Sequence, residues 1–199
     1  MGQETLLFKS ESSDHSKSDS VPLHLYKTIT HSKQNRVVSA LFTPSNLITG
    51  SLDGFIEVWN YKTGKLAETQ NQLKDKFMMT DSSVQCLAYT KGFLVTASLK
   101  GTIKLFDDNG SLVRKIDSIG MALCLNFSLD GKYILKSNQD GTLAVFGIKS
   151  GKLVKEFRGH KSFLNSFTLV KNAVVSGSSD GSVKVTLIAS VLIHSFTTR

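Results

Sequence analysis

The chain has 199 residues, 40% hydrophobic and 20% charged, with a formal net charge of +8. That length supports one sizeable core. No run approaches the roughly 18–20 apolar residues of a membrane-spanning helix, and residues 1–10 lack the basic-then-apolar order of a secretory signal.

Residues 21–199 carry 22 basic and 12 acidic side chains. The lysines are scattered singly or in pairs, with no basic stripe and no interleaved aromatics. This predicts a generally basic surface and no sequence-specific nucleic-acid groove. Cys86 and Cys124 cannot make a disulfide framework, nor a zinc site without histidines at ligand spacing. Both sit in apolar runs, "SVQCLAY" and "MALCLNF", so both are expected to be packed as small hydrophobes.

Residues 9–20, "KSESSDHSKSDS", are serine-rich and polar, the composition of a disordered leader; 1–21 is assigned to it and 22–199 to the folded region. The first structured unit then reads as four strands, "VVSALF", "NLITGS", "FIEVWN" and "KLAET". Asp53-Gly54 is placed as a tight turn between the second and third. A second unit runs "LVTASLKGTIKLFDDNGSLVRKI", a third "ILKSNQDGTLAVFGIKSGKLVKEF" and a fourth "VVSGSSDGSVKVTLIASVLIHSF".

The turn glycines Gly54, Gly101, Gly141 and Gly181 are 47, 40 and 40 residues apart. A period near 40 with several short strands per unit predicts β-propeller blades, at roughly 31–69, 82–117, 120–157 and 160–197. The fold class is all-β, with about four four-stranded antiparallel blades forming an incomplete propeller. Its unpaired edges favour self-association. Ser39, Cys86, Cys124 and Ser166 each fall three residues before the end of a first-strand run, one structural position used four times.

These units resemble the WD40 family. The resemblance implies a buried hydrogen-bonded set in each blade: a histidine before the first strand, a Ser or Thr on the second, the turn Asp and a third-strand Trp. The first unit has all four as His31, Thr49, Asp53 and Trp59, and the fourth keeps His160, Ser176 and Asp180 with Thr186 at the aromatic position. The second has Thr96, Lys100 and Phe106; the third has Lys136, Asp140 and Phe146. A Ser–His–Asp nucleophile at Ser176, His160 and Asp180 is the catalytic alternative. The repetition of the pattern with Thr and Trp favours structure over catalysis.

The stretches "GSLDGFIEVWNYKTGKL", "KDKFMMTDSSVQCLAY" and "KSGKLVKEFRGHKSFLNSFT" are similar to a splicing-associated branch of that family, of the suppressor-of-mec-and-unc (Smu) type. The similarity implies a non-catalytic nuclear scaffold of the precatalytic spliceosome that binds other proteins, a RED-type partner among them, with no cofactor, metal or membrane. That branch adds an N-terminal helical region and seven blades, against four units here. The Phe-Met-Met segment is read as an inserted loop, which accounts for the longer first spacing. Lys76, Phe77, Met78, Arg158 and Lys161 are the candidate partner-binding residues on one rim. A WD40 scaffold in another complex, such as a ubiquitin-ligase substrate receptor, and a propeller enzyme are the alternatives.

Overall fold

The computed structural model describes residues 27–30, 36–66, 76–78, 83–90, 92–171 and 173–187. Four antiparallel sheets follow one another along the chain. The first contains β1 (Val37–Phe42), β2 (Leu47–Ser51), β3 (Phe55–Asn60), β4 (Lys65–Leu66) and β5 (Lys76–Met78). The second contains β6 (Val84–Thr90), β7 (Phe93–Ser98), β8 (Ile103–Asp107) and β9 (Leu112–Ile116). The third contains β10 (Ala122–Phe127), β11 (Tyr133–Asn138), β12 (Leu143–Gly147) and β13 (Leu153–Phe157). The fourth contains β14 (Leu164–Val170), β15 (Ala173–Ser178) and β16 (Val183–Leu187).

Each sheet is a meander, and the first strands pack in sequence, β1 on β6, β6 on β10 and β10 on β14. The blades stand side by side as part of a propeller. One expectation needs correction. The first sheet has two short strands in place of one fourth strand: β4 pairs with Trp59 and Asn60, and β5 pairs with Phe55, Ile56 and Glu57. Lys76–Met78 is therefore strand backbone on the outer edge of the first blade, not an inserted loop. A period-two extended segment satisfies its backbone groups best along an open ladder. The fourth sheet has three strands among the described residues. Most of the segment expected to complete it, like the leader 1–21, lies outside them.

The third strands alternate their side chains between the two neighbouring blades. Ile103 and Leu105 pack with Ala122, Leu125 and Phe127 of the third blade. On the opposite side, Phe106 packs with Ile56 and Val58 of the first. Leu143 and Val145 pack with Leu164 and Phe167 of the fourth. Such strands are apolar on both faces, so β8 and β12 read as nearly continuous hydrophobic runs.

The four-times-used position is explained by the same packing. Each first strand shifts register near its start, between Val37/Ser39, Val84/Cys86, Ala122/Leu125 and Leu164/Ser166. The small side chain at the irregularity then reaches the next blade. Ser39 Oγ donates to Val84 O (3.4 Å), Cys86 Sγ to Ala122 O (3.5 Å) and Cys124 Sγ to Phe167 O (3.9 Å). Across the ladder the room is minimal: a Cβ on Gly50, opposite Ser39, would lie 2.6 Å from Val84 Cγ1.

The turn glycines set the blade spacing as well as the turn. Gly141 has φ +81°, and a Cβ there would lie 2.6 Å from Ser162 O and 2.7 Å from His160 O, in the loop entering the next blade. Gly101 stands equally close to Ser118 O and Gly120 O. Gly181 has φ +79°, and a Cβ there would meet nothing within 4 Å among the described residues. Gly181→Ala should therefore cost only the left-handed backbone penalty, about 1–2 kcal/mol. Gly141→Ala adds an overpacking term of about 1–3 kcal/mol. Denaturant midpoints of the two variants measure the difference; equal losses would show that Gly141 does not hold the blades together.

Candidate interaction rim and its hydrogen-bonded turns

The rim is built from the turns between second and third strands and the loops that enter each first strand. In the fourth blade, Asp180 opens the turn. Its Oδ1 accepts from Ser182 N (2.9 Å) and Ser182 Oγ (2.6 Å). Its Oδ2 accepts from Lys161 N (2.9 Å) and meets His160 Nδ1 at 3.1 Å. The Ser182 hydroxyl first, and then the Lys161 amide, hold the Asp180 carboxyl well below the usual carboxylate range. His160 Nε2 lies 2.9 Å from Ser176 Oγ.

The structure thus brings His160, Ser176 and Asp180 together. Ser176 is 5% exposed, in the middle of β15, and only 3% of the His160 side chain is accessible. Burial of this depth suits a structural tie. Ser176 Oγ also donates to Lys184 O (3.4 Å) on the neighbouring strand. The cluster ties the entering loop to the turn.

The first blade brings together Thr49 and Trp59: the indole Nε1 donates to Thr49 Oγ1 (2.9 Å), both buried. Asp53 caps its own turn, accepting from Ser51 Oγ, which also accepts from Phe55 N (3.2 Å). His31 lies outside the described residues. In the second blade Lys100 occupies the turn-Asp position; Thr96 and Phe106 are buried.

The third blade solves the same problem with a residue that sequence reasoning took for a mere departure. Lys136 stands at the position of Ser176 and is fully buried. Its Nζ donates to Ser118 Oγ (2.9 Å), Ile119 O (2.9 Å) and Gly120 O (2.6 Å). Counted back from the first strand, Ser118 stands where His160 does in the fourth blade. The long chain therefore makes the tie from the strand side, donating to the loop. The only signal in the sequence was the pairing of a lysine at the Ser/Thr position with no histidine upstream. Burial lowers the Lys136 pKa to about 8, against the raising influences of Asp140 and of Cys86. Burial also pushes the Cys86 thiol up to about 12, which makes it a packing group.

Of the candidate partner-binding residues, Arg158 and Lys161 lie in the loop between β13 and β14, beside the Asp180 turn. Arg158 pairs with Glu156 and keeps three quarters of its side chain exposed. Lys76, Phe77 and Met78 run along Phe55–Glu57, the end of β3 nearest the Asp53-Gly54 turn. The exposed apolar residues Leu52, Leu99, Ile119 and Phe163 were missed. All four lie in the same turns and loops, and three of them join turn to loop: Leu52 N to Arg36 O (2.9 Å), Leu99 N to Ser83 O (3.1 Å) and Ser179 N to Phe163 O (2.9 Å). Ile119 is 95% exposed. Isolated in sequence, none of them forms a recognisable motif.

Lys136→Met leaves the Ser118 hydroxyl and two carbonyls without their donor, and the cost should be roughly 1–3 kcal/mol. The pH dependence has a defined sign. The folded-state pKa is depressed to about 8, so above it the unfolded chain binds more protons and wild-type stability gains with pH. The margin of wild type over Lys136→Met should widen from pH 8 to 9 in urea titrations. A margin that is flat or narrows would contradict the buried-amine assignment.

The family model described as "WD domain, G-beta repeat" matches residues 151–186. The chain is 42% identical over 76 residues to the WD40 repeat-containing protein smu1 of Dictyostelium discoideum, covering 37% of this chain and 14% of that protein. It is 30% identical over 147 residues to autophagy-related protein 16 of Arabidopsis thaliana, 72% of this chain and 26% of that one. The chain thus spans 14% and 26% of these relatives' length. Among solved structures, the computationally designed Ika4 protein superposes with a TM-score of 0.67 at 28% identity, covering 78% of this chain and 92% of the other. The matched repeat and three more sheets of the same plan make this a chain of WD40 repeats, arranged as an incomplete propeller.

Proposed function

We propose that the chain is a non-catalytic protein-interaction scaffold of the pre-mRNA splicing machinery, acting in the nucleus within the precatalytic spliceosome. The observation that carries the reading is the 42% identity to the smu1 protein over 76 residues, together with the Smu-type sequence stretches quoted above. The rim supplies the means. Leu52, Leu99, Ile119 and Phe163 offer separated apolar contacts, and Lys100, Arg158 and Lys161 surround them with positive charge. Such a surface suits an acidic protein partner bearing apolar side chains, since apolar anchors supply affinity and complementary charge supplies rate and register. A RED-type protein is the partner that the resemblance suggests. The hydrogen-bonded sets at Thr49–Trp59 and His160–Ser176–Asp180 hold the turns that present these residues; they have no turnover of their own.

The test is affinity purification of the tagged chain from nuclear extract at low salt, beside a variant carrying Ile119→Ala, Phe163→Ala and Arg158→Ala. Truncation of an interface anchor typically costs ~1–4 kcal/mol, so the variant should lose its partners while melting as wild type does. Recovery of precatalytic spliceosome proteins by wild type alone supports the proposal. Recovery of none of them, or of a cullin-type ligase, overturns the splicing role and leaves the propeller intact.

A further inference from the structure

The fourth blade presents the face that every other blade buries. At the third-strand positions pointing to the next blade, Ile56, Val58, Ile103, Leu105, Leu143 and Val145 are all 3% exposed or less. Their counterparts on β16, Val183 and Val185, are 73% and 66% exposed. Two further positions extend this apolar surface beyond the common plan. Where the first three blades have Thr43, Thr90 and Ser128 the fourth has Val170, and where they have Asn60, Asp107 and Gly147 it has Leu187. Val170 and Leu187 are 53% and 73% exposed, and both pair with Ala173, so they form one row with it across the sheet. A contiguous apolar surface of this kind marks an interface.

The other end of the chain carries the complementary shape. The last first-strand residue that meets the preceding blade is Tyr89 in the second blade, Phe127 in the third and Leu169 in the fourth. Tyr89 packs with Ile48, Ile56 and Val58, Phe127 with Ile103 and Leu105, and Leu169 with Leu143 and Val145. The equivalent residue of the first blade is Phe42. It is 51% exposed, and Val38 on the same face is 39% exposed. Phe42 touches only the edge of Tyr61 among aromatic rings of the described residues.

We propose that a second copy of this chain docks head to tail, with β1 of one copy, led by Phe42 and Val38, covering Val183, Val185 and Leu187 on β16 of its neighbour. The contact repeats the geometry already used three times between successive blades. It requires no residue type that those interfaces lack. Being heterologous, it either closes into a ring or continues as a filament. The interface uses blade faces, away from the rim, so it is independent of the splicing proposal.

The test is sedimentation velocity of the full chain from low to high micromolar concentration. The weight-average mass of wild type should at least double across the range. The variants Val183→Asp/Val185→Asp and Phe42→Asp should each stay at one chain, with circular dichroism melts that match wild type because all three positions are exposed. Mixed in equal amounts, the two variants should form a pair and nothing larger, since each retains one intact face. Three results overturn the proposal: a wild type that remains a single chain throughout, a Phe42→Asp variant that assembles as wild type does, or a mixture that shows no pair.

Discussion

A strand such as Leu143–Gly147 carries apolar side chains on both of its faces, and its own sheet can bury neither. Leu143 and Val145 need the blade that follows; Ala144 and Phe146 need the one that precedes. Each fully buried Leu, Ile, Val or Phe stabilises by about 1.5–3 kcal/mol, so several such residues per interface outweigh any single hydrogen bond at the rim. Stability in a structure of this type is shared between neighbours and not held by blades individually. The rest follows from bringing those faces into contact. The residue at the first-strand register shift must be small and able to donate, which Ser39, Cys86 and Cys124 satisfy. The turn must end in a glycine that lets the next loop approach, as Gly101 and Gly141 do.

The hydrogen-bonded sets are a second layer built on that packing. A turn aspartate close to a blade interface has to be satisfied or it weakens the rim. Asp180 is satisfied by an amide, a serine and a histidine. In the third blade Asp140 accepts from the Thr142 amide and hydroxyl, and the buried Lys136 ammonium donates to the entering loop. The two arrangements tie the same loop to the same strand. What is preserved between blades is the connection, and the side chains that make it are exchangeable.

Much of this was legible in the residues. The glycine spacing marked the units, and Asp-Gly marked the tight turns that Gly54, Gly141 and Gly181 occupy with positive φ. The small-residue position was visible as a repeat, although its purpose, a donor to the neighbouring blade, needed the packing to be seen. Three features were not legible for physical reasons. Lys76–Met78 has no local signal that separates a loop from an edge strand, because its pairing with Phe55–Glu57 depends on a ladder position about twenty residues away. Lys136 looked like a lost hydroxyl, since a long aliphatic chain can carry its charge to a site that sequence alignment cannot locate. The rim apolar residues Leu52, Leu99, Ile119 and Phe163 come from four separate loops and share a surface only after folding.

If packing between successive blades is the source of stability, protection should depend on how many neighbours a blade has. Native-state amide hydrogen exchange at low micromolar concentration reads this strand by strand. The account predicts that amides of β8 and β12, covered on both faces, exchange only through global unfolding. Amides of β16, which has its Val183 and Val185 face open, should exchange through local opening at a markedly lower free energy. Protection of β16 equal to that of β12 would contradict it, because it would mean that each blade is stable on its own hydrogen bonds without a following neighbour.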